Sequence, residues 1–496
     1  MVLDPDHNPS QSEATPSGAG PTPPLDAPQL FSRSAGQMRS NVLARLALFA
    51  VHVTTGLWLT PYLIGHLGLA MYGLVPLANQ ITSYMGIITV ALTGAVGRYL
   101  TIELTRGDFA AANRTFNTSL FGGLMLAAGL LVPVAVVVAT APLFLTIPPG
   151  SETQVRILLG GVMLAFLLAV DSYPFVSSCI ACNRLDINSL IEAVYPALRV
   201  VAIVVLFNWL GPRLWQVGVS FAVGGVAMMA AGILAWRRLT PQLSVSPRAF
   251  DRSRLRALTG MGGWLSMNSL GSLLFLNADL LVVNMVVGVE AGGAYGAVLQ
   301  WSVLLRTMAG MLPALVYPNL LAAYAEGNLG RLVSISKLST KLLGLVLALP
   351  VGLICGLSYP LLHAWLGPSF APLWQLLVLM TFHLAVNHAT GPLLFTQMTY
   401  NKVRWMGIAT LILGCVNVSL AVLFAGPLHW GMYGVALAGA IVLTFRNAIV
   451  VPAYTARIME RPWLTFVGDT MVSALATALV AALAWSVSRH LNVMSL

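Results

Sequence analysis

Charged residues are scarce in this sequence: Asp, Glu, Lys and Arg make up 8% of its 496 residues, whereas soluble domains carry roughly 25%. Hydrophobic residues make up 57%. A single hydrophobic core stops growing beyond about 250–300 residues, so a soluble chain of this length could not bury them. The composition excludes a soluble enzyme, a disordered scaffold and a secreted disulfide domain. It favours a polytopic membrane protein.

Cysteines and catalytic motifs are also few. Four cysteines form no disulfide framework, and the pair Cys179-x-x-Cys182 has no second pair to complete a zinc site. No P-loop is present, so the chain carries no ATPase of its own. The longest predicted outer loops, 141–155 and 359–372, contain one acidic residue and one histidine. We therefore expect no enzyme activity, no catalytic residue, no cofactor and no metal site.

Long apolar runs dominate the rest of the chain. Thirteen of them are about 20 residues or longer, enough for a helix to cross a hydrocarbon core of about 30 Å. The sequence therefore predicts an all-α polytopic membrane protein. The spans are expected at 42–65, 71–97, 117–139, 156–178, 190–209, 215–236, 260–287, 294–322, 338–358, 373–399, 405–425, 432–455 and 466–488.

Lys and Arg are unevenly distributed between the two sides of these spans. With the N-terminus in the cytoplasm, nineteen lie in inner segments and three in outer loops, which is a strong positive-inside bias. The net charge of +10 is therefore a topology signal, and nucleic-acid binding is not expected. Residues 1–37, rich in Pro, Ser, Asp and Gly, are predicted to be a disordered cytoplasmic tail.

The chain also repeats itself. Segments 65–73, 106–108, 183–184 and 218–222 recur in the same order at 288–296, 326–328, 401–402 and 434–438. A repeat of six spans predicts two six-helix lobes related by a pseudo-two-fold axis along the membrane normal, with a substrate site between them. We expect an N-lobe at 38–236, a basic cytoplasmic linker at 237–258 that lets the lobes rock, a C-lobe at 259–456 and an extra C-terminal transmembrane helix within 457–496.

Two stretches of the N-lobe carry a family pattern. The first has the turn Leu67-Gly68-x-x-x-Tyr72-Gly73, a second span ending in Gly97-Arg98-Tyr99, and the loop Arg106-Gly107-Asp108-x-x-x-Ala112-Asn113-Arg114. The second runs from Cys182 to Asp186 and is followed by Leu198-Arg199. These resemble bacterial polysaccharide (O-antigen and exopolysaccharide) flippases of the Wzx type, over roughly residues 40–460.

This resemblance implies membership of the multidrug/oligosaccharidyl-lipid/polysaccharide exporter superfamily. It implies two six-helix lobes around a central cavity, alternating access, and translocation of undecaprenyl-pyrophosphate-linked glycans across the bacterial inner membrane. A thirteenth span departs from the even number that is usual in the family. A multidrug exporter of the same fold and a lipid II flippase remain alternatives.

Arginines within the spans are the candidate cavity residues. An Arg at the bilayer centre costs ~2.5–3.5 kcal/mol on insertion scales and usually faces the bundle interior, and its planar fork suits phosphate. Arg306 is the deepest, and Arg199, Arg446, Arg45 and, on the same face as Arg45, His52 complete the set. The alternatives are that Arg45 and Arg446 extend to the headgroups and that Arg199 pairs with Glu192.

Two carboxylates within the spans are candidates for binding a coupling ion. Asp279 shares a polar helix face with Asn268 and Ser272, and Asp171 precedes Pro174. Either could instead neutralise a buried arginine, and for Asp171 that structural role is favoured. His383, Asn387 and Thr390 share a face of the tenth span, where interhelical hydrogen bonding is the favoured role.

The partners that follow are a lipid-linked oligosaccharide substrate, membrane lipids and a polysaccharide polymerase. We expect a monomer without nucleic acid, located in the bacterial inner membrane as a multi-pass protein with a cytoplasmic N-terminus.

The charge bias gives a first testable prediction. A reporter fused after Ala257 should be cytoplasmic and one fused after Pro149 periplasmic, because the flanking charges place these sites on opposite sides. Paired phosphatase and fluorescent-protein fusions measure this directly. Exchanged signals at the two sites would overturn both the orientation and the division into lobes.

Overall fold

The computed structural model describes residues 27–260, 262–311, 313, 316–400 and 402–490. Every regular element in this part of the chain is helical. Among these residues, eleven helices are long and apolar enough to cross a membrane. They coincide with the predicted spans other than 71–97 and 294–322, where helices Leu69–Thr105 and Val289–Met311 lie.

The N-lobe consists of six long helices joined by short turns. Its prolines, such as Pro174 and Pro196, lie inside continuous helices. The six helices are α1 (Ala27–Leu67), α2 (Leu69–Thr105), α3 (Phe109–Phe144), α4 (Glu152–Ala181), α5 (Leu185–Leu210) and α6 (Leu214–Leu239).

The first helix is longer than the sequence predicts. It begins at Ala27, so the boundary of a disordered tail at residue 37 is wrong for residues 27–37. This stretch combines good helix formers, such as Leu30 and Arg33, with Pro28 in the first turn, where a proline is tolerated. The remainder of the predicted tail, residues 1–26, lies outside the described residues.

The C-lobe has the same number of spans, but several are interrupted. The tenth span is split into α13 (Trp374–Thr381), α14 (Leu384–Ala389) and α15 (Gly391–Thr399), and the twelfth passes through a π-helical segment at Arg446–Val450. The other elements are α8 (Gly262–Val282), which ends in a second π-helical segment, α9 (Val289–Met311), α10 (Tyr317–Ala325), α11 (Leu329–Gly356), α12 (Ser358–Leu366), α16 (Arg404–Ala425), α17 (Gly431–Phe445) and α18 (Val451–Ile458).

The linker between the lobes is fixed to the N-lobe over much of its length. The amide of Ser246 donates to Asn117 Oδ1 at 2.7 Å, and Asn117 Nδ2 donates to the carbonyl of Ser244 at 2.8 Å. Helix α7 (Arg252–Gly260) begins beside α3, and Arg254 forms an ion pair with Glu103 on α2. Residues 244–254 are therefore held against the N-lobe, and this stretch is not a free linker between the lobes.

The two lobes are joined at the end predicted to be periplasmic. Gly73 on α2 faces Gly293 on α9 so closely that a Cβ on Gly73 would lie 2.6 Å from the Gly293 amide nitrogen. Trp365 Nε1 donates to the carbonyl of Leu57 at 2.7 Å. Asn284 Oδ1 accepts from the amide of Thr146 at 3.1 Å. Gly73 and Gly293, which lie in the repeated segments 65–73 and 288–296, are therefore inter-lobe contacts.

The thirteenth span is present as α19 (Val467–His490). It packs along α11, where Gly344, Gly352 and Gly356 leave space for its side chains. It also contacts α14 and the π-helical segment of the twelfth span. The extra helix is thus an integral layer of the C-lobe.

Helices α4 and α6 cross in direct backbone contact, which provides a matched pair of substitutions. A Cβ on Gly161 would overlap the carbonyl of Gly218, whereas a Cβ on the adjacent Gly160 has nothing within 4 Å. Gly161→Ala should therefore destabilise the protein by ~1–3 kcal/mol, the usual cost of overpacking.

Gly160→Ala should be neutral or slightly stabilising, because Ala is the better helix former. The melting temperatures of both variants in detergent test this. Equal melting of the two variants would show that α4 and α6 are not packed as described.

Candidate functional site

A cavity of about 490 Å³ lies within the C-lobe, among α8, α9, α14, α15, α16 and the π-helical segment. Three arginines line it, and no carboxylate occurs in its described lining. The polar and charged residues of the wall are Ser272, Arg306, Asn387, His388, Gln397, Arg404, Arg446 and Asn447. The cavity is thus a cationic chamber with amide and imidazole groups around it.

Every residue lining this cavity belongs to the C-lobe. The substrate site expected between the two lobes stays a prediction. The interrupted tenth span shapes the cavity: it breaks at Phe382–His383 and again at Thr390, before Pro392, and α14 and α15 line one side of the chamber. Proline lacks the amide donor that a continuous helix requires.

Arg446 is held in the cavity wall by hydrogen bonds. Its Nε and Nη2 donate to Thr410 Oγ1 at 3.2 and 3.0 Å, and its Nη1 donates to Asn447 Oδ1 at 2.8 Å. The guanidinium lies 5.9 Å from the ring centre of Phe275. These contacts hold the guanidinium of Arg446 in the wall of the chamber. π-Helical turns of this kind are frequent at functional sites.

Arg306 on α9 lines this chamber and also a second, much smaller cavity of about 10 Å³. The smaller cavity has room for about one water molecule. Asp279, Tyr295 and His383 are among its other lining residues. Arg306 Nε has no hydrogen-bond partner among the described residues.

Asp279 is buried in the smaller cavity, with the side chains of Tyr295 and Asn417 beside its carboxylate. The hydroxyl of Tyr295 donates to Asp279 Oδ2 at 3.2 Å, while Oδ1 is buried with no hydrogen-bond partner in the described part of the chain. Gly439 on α17 lies next to this carboxylate, since a Cβ there would be at an ordinary contact distance of 3.5 Å from Oδ2. No direct ion pair within 4.0 Å joins Asp279 to Arg306 among the described residues.

The polar helix face predicted around Asp279 is divided between the two cavities. Ser272 lines the larger one and Asp279 the smaller one. The side chain of Asn268 lies outside the described residues.

The N-lobe candidates lie apart from both cavities. Arg199 does not pair with Glu192: its guanidinium lies 4.3 Å from the ring centre of Phe221. Glu192 instead forms an ion pair with Arg45 on α1 at 2.8 Å. Residues seven apart are about 10.5 Å apart along a helix, whereas α1 packs directly beside α5, so the partner on α1 is nearer.

His52 and Asp171 complete the N-lobe set. His52 Nδ1 is bonded to the carbonyl of Leu48 in its own helix at 2.9 Å, and its side chain is exposed. Asp171 is 8% exposed and its Oδ1 has no hydrogen-bond partner among the described residues. Neither residue lines the cationic chamber or the small cavity.

Sequence reasoning missed several residues of the chamber. Arg404 was counted as a cytoplasmic loop charge, yet it lines the cavity, as does Gln397. His383 and Asn387, expected to hydrogen-bond between helices, bond to each other at 2.6 Å across the break in the tenth span. The Gly391-Pro392 pair was the available signal for this break.

Comparison with known proteins places this geometry in context. No family model matches the sequence. The chain is 35% identical over 423 residues to the uncharacterized membrane protein EpsK of Bacillus subtilis (strain 168), covering 84% of this chain and 83% of that protein.

Solved transporter structures share the fold at low sequence identity. A multidrug resistance MATE family transporter of the MOP superfamily, in an inward-facing conformation, superposes with a TM-score of 0.65 at 14% identity, covering 89% of this chain and 95% of that one. The lipid II flippase MurJ in an inward closed conformation gives 0.62 at 14% identity, covering 91% and 100%. These likenesses confirm the predicted all-α, two-lobe fold.

The charge of the chamber can be measured by cysteine labelling. Gly310 lines it, and a Cβ on this glycine has nothing within 4 Å. In a chain whose four native cysteines are replaced, Gly310→Cys should react faster with an anionic than with a cationic methanethiosulfonate. We expect the ratio of the anionic to the cationic reaction rate to be about tenfold or more above that of free cysteine. The reason is that a charge-lined cleft concentrates counter-ions.

Adding Arg446→Ala to the Gly310→Cys chain should lower this ratio, which provides the matched control. A ratio equal to that of free cysteine would contradict a cationic chamber.

Proposed function

The chain belongs to the family of the Bacillus subtilis membrane protein EpsK, and from this premise we propose that it is a flippase. Its substrate is an undecaprenyl-pyrophosphate-linked oligosaccharide repeat unit, which it moves from the cytoplasmic to the periplasmic leaflet of a bacterial inner membrane for polysaccharide biosynthesis. The lobes do this by alternating access. The observation that carries the proposal is an arginine-lined chamber inside a transporter fold.

The charge of the chamber fits a pyrophosphate. Arg306, Arg404 and Arg446 line it, and no acidic residue occurs in its described lining. Maintaining guanidinium groups at membrane depth is costly, so an anionic substrate is the simplest reason to have several. Arginine binds phosphate oxygens through two parallel N–H donors, which gives orientation as well as attraction.

The rest of the chamber fits a lipid-linked sugar. Phe275, Leu276, Leu394 and Phe395 offer apolar surface to a polyprenyl chain. Amide and imidazole groups, such as those of Gln397 and His388, offer donors and acceptors to sugar hydroxyls. Small-molecule sites commonly combine a mostly apolar wall with a few polar groups of this kind.

Two related functions share the fold. A multidrug exporter is favoured by the likeness to the MATE transporter, but a chamber lined by arginines repels the cationic compounds that an acidic cavity would accept. A lipid II flippase is favoured by the likeness to MurJ, and its substrate carries the same pyrophosphate. Export assays with lipid II and with the glycan of the native host distinguish these two flippases.

The remaining residues are assigned roles within this proposal. Asp279, buried beside Arg306, binds the coupling ion, and Asp171 is a second candidate in the N-lobe. Arg45, His52 and Arg199 serve the anionic substrate when the lobes rearrange. Membrane lipids and a polysaccharide polymerase are the proposed partners of a monomeric protein.

The proposal predicts that Arg306 is essential for export. Arg306→Ala should abolish glycan export at near-normal protein level, because the residue has no direct ion-pair partner that would be left unpaired. Arg306→Lys should retain part of the activity, since it keeps the charge and loses the planar fork. Complementation of a flippase-deficient strain, with immunoblotting for protein level, measures both.

Arg331→Ala is the matched control, because Arg331 is half exposed, pairs with Glu326 and lies outside the chamber. It should export normally. Full activity of Arg306→Ala at normal expression would refute the anion-chamber proposal.

A further inference from the structure

Arg306 is the charged residue common to the two C-lobe cavities. Among the described residues, only Arg306 and Leu443 line both the chamber of about 490 Å³ and the Asp279 cavity of about 10 Å³. The guanidinium therefore stands between a buried carboxylate on one side and the space proposed for the substrate on the other.

The sizes of the two cavities determine what each can admit. The Asp279 cavity holds about one water, so a phosphate group cannot enter it and must stay in the larger chamber. Asp279 in turn is fixed on α8 and does not line the chamber. Asp279 and a phosphate group in the chamber can therefore interact only through Arg306, the charged residue that lines both cavities.

The hydrogen bonding around Arg306 leaves it available to either side. Its Nε has no partner among the described residues, and no ion pair within 4.0 Å binds it to Asp279. Asp279 has one buried oxygen without a partner, while Tyr295 donates to the other. A guanidinium has five N–H donors in one plane. When the guanidinium of Arg306 turns towards Asp279, fewer of these donors face the chamber.

We infer that Asp279 and the phosphate of the substrate compete for Arg306, so that a cation bound at Asp279 releases Arg306 and strengthens phosphate binding. This rests on the proposed function and specifies how its coupling-ion site acts. Because linkage is reciprocal, phosphate binding strengthens cation binding at Asp279 by the same factor. Tyr295 tunes the competition, since its hydroxyl supplies a hydrogen bond that Asp279 would otherwise seek from Arg306.

The test measures binding of farnesyl pyrophosphate, a short prenyl pyrophosphate, to the purified full-length protein in detergent, with farnesol as the phosphate-free reference. Asp279→Asn, which removes the competing charge and keeps the shape, should bind farnesyl pyrophosphate about fivefold or more tightly than the wild type. Tyr295→Phe should bind it more weakly, because Asp279 loses the hydroxyl donor and then interacts more strongly with Arg306. Opposite effects of two neighbouring substitutions are not expected from general loosening of the fold.

Matched variants test whether the effect of Asp279→Asn on phosphate binding depends on Arg306. Glu326→Gln removes an exposed carboxylate that pairs with Arg331 and borders neither cavity, and it should leave binding unchanged. The gain from Asp279→Asn should persist in the background of Arg446→Gln and vanish in that of Arg306→Gln. A gain that survives Arg306→Gln would overturn the inference.

The outcomes separate the inference from the proposed function. If the wild type binds farnesyl pyrophosphate no better than farnesol, the anion chamber itself is refuted. If the wild type binds it specifically and Asp279→Asn stays within twofold, only the competition is refuted. If Asp279→Asn shows no folded protein by its melting transition, Tyr295→Phe decides: weaker binding supports the competition, and unchanged or tighter binding overturns it.

Discussion

A guanidinium inside a hydrocarbon layer must be hydrogen-bonded or face water, because insertion alone costs ~2.5–3.5 kcal/mol. The C-lobe is organised around this requirement. Thr410 and Asn447 receive the donors of Arg446, and the break in the tenth span opens a chamber beside it. The irregular helices are therefore the means by which charge is retained at membrane depth, since irregular backbone is tolerated there where it lines a cavity.

The N-lobe holds its intramembrane arginines differently. Arg45 pairs with Glu192, whereas the guanidinium of Arg199 lies over the ring of Phe221 and its Nε has no hydrogen-bond partner among the described residues. Neither arrangement needs an open chamber, and the six helices run without interruption through their prolines. The two lobes of the repeat therefore differ in how they hold intramembrane arginines. The N-lobe uses an ion pair and an aromatic contact, and the C-lobe encloses a cavity.

The fold was predictable from the sequence to the extent that hydrophobic runs and repeated segments determine it. The length of the apolar runs predicts the spans. The recurrence of segment 65–73 at 288–296 predicts two equivalent lobes. In the structure these lobes contact each other through Gly73 and Gly293. The interruptions were not predictable from hydropathy, because a broken helix and a continuous one have the same mean apolarity. Gly391-Pro392 was the available local signal.

The site was predictable only in part, for a different physical reason. That Arg306 and Arg446 face a cavity follows from the cost of burying them, which is a property of the residue type. Which partner each arginine takes depends on which helices are neighbours. Spacing along α5 predicted an ion pair between Glu192 and Arg199. Because α1 packs beside α5, Glu192 instead pairs with Arg45. Pairings across helices are determined by tertiary structure, which spacing within one helix does not encode.

The thirteenth helix shows how the symmetry of the repeat was broken. At an offset of 220, Gly344, Gly352 and Gly356 on α11 correspond to Leu124, Val132 and Val136 on α3. The N-lobe residues are exposed on the outer surface, where large apolar side chains suit lipid, whereas the glycines receive α19. Because α19 also contacts α14 and the π-helical segment, it supports from outside the two elements whose irregularity forms the chamber. An interrupted span lacks the rigidity of a continuous helix, and an additional packed helix compensates for that loss in the lobe that contains the chamber.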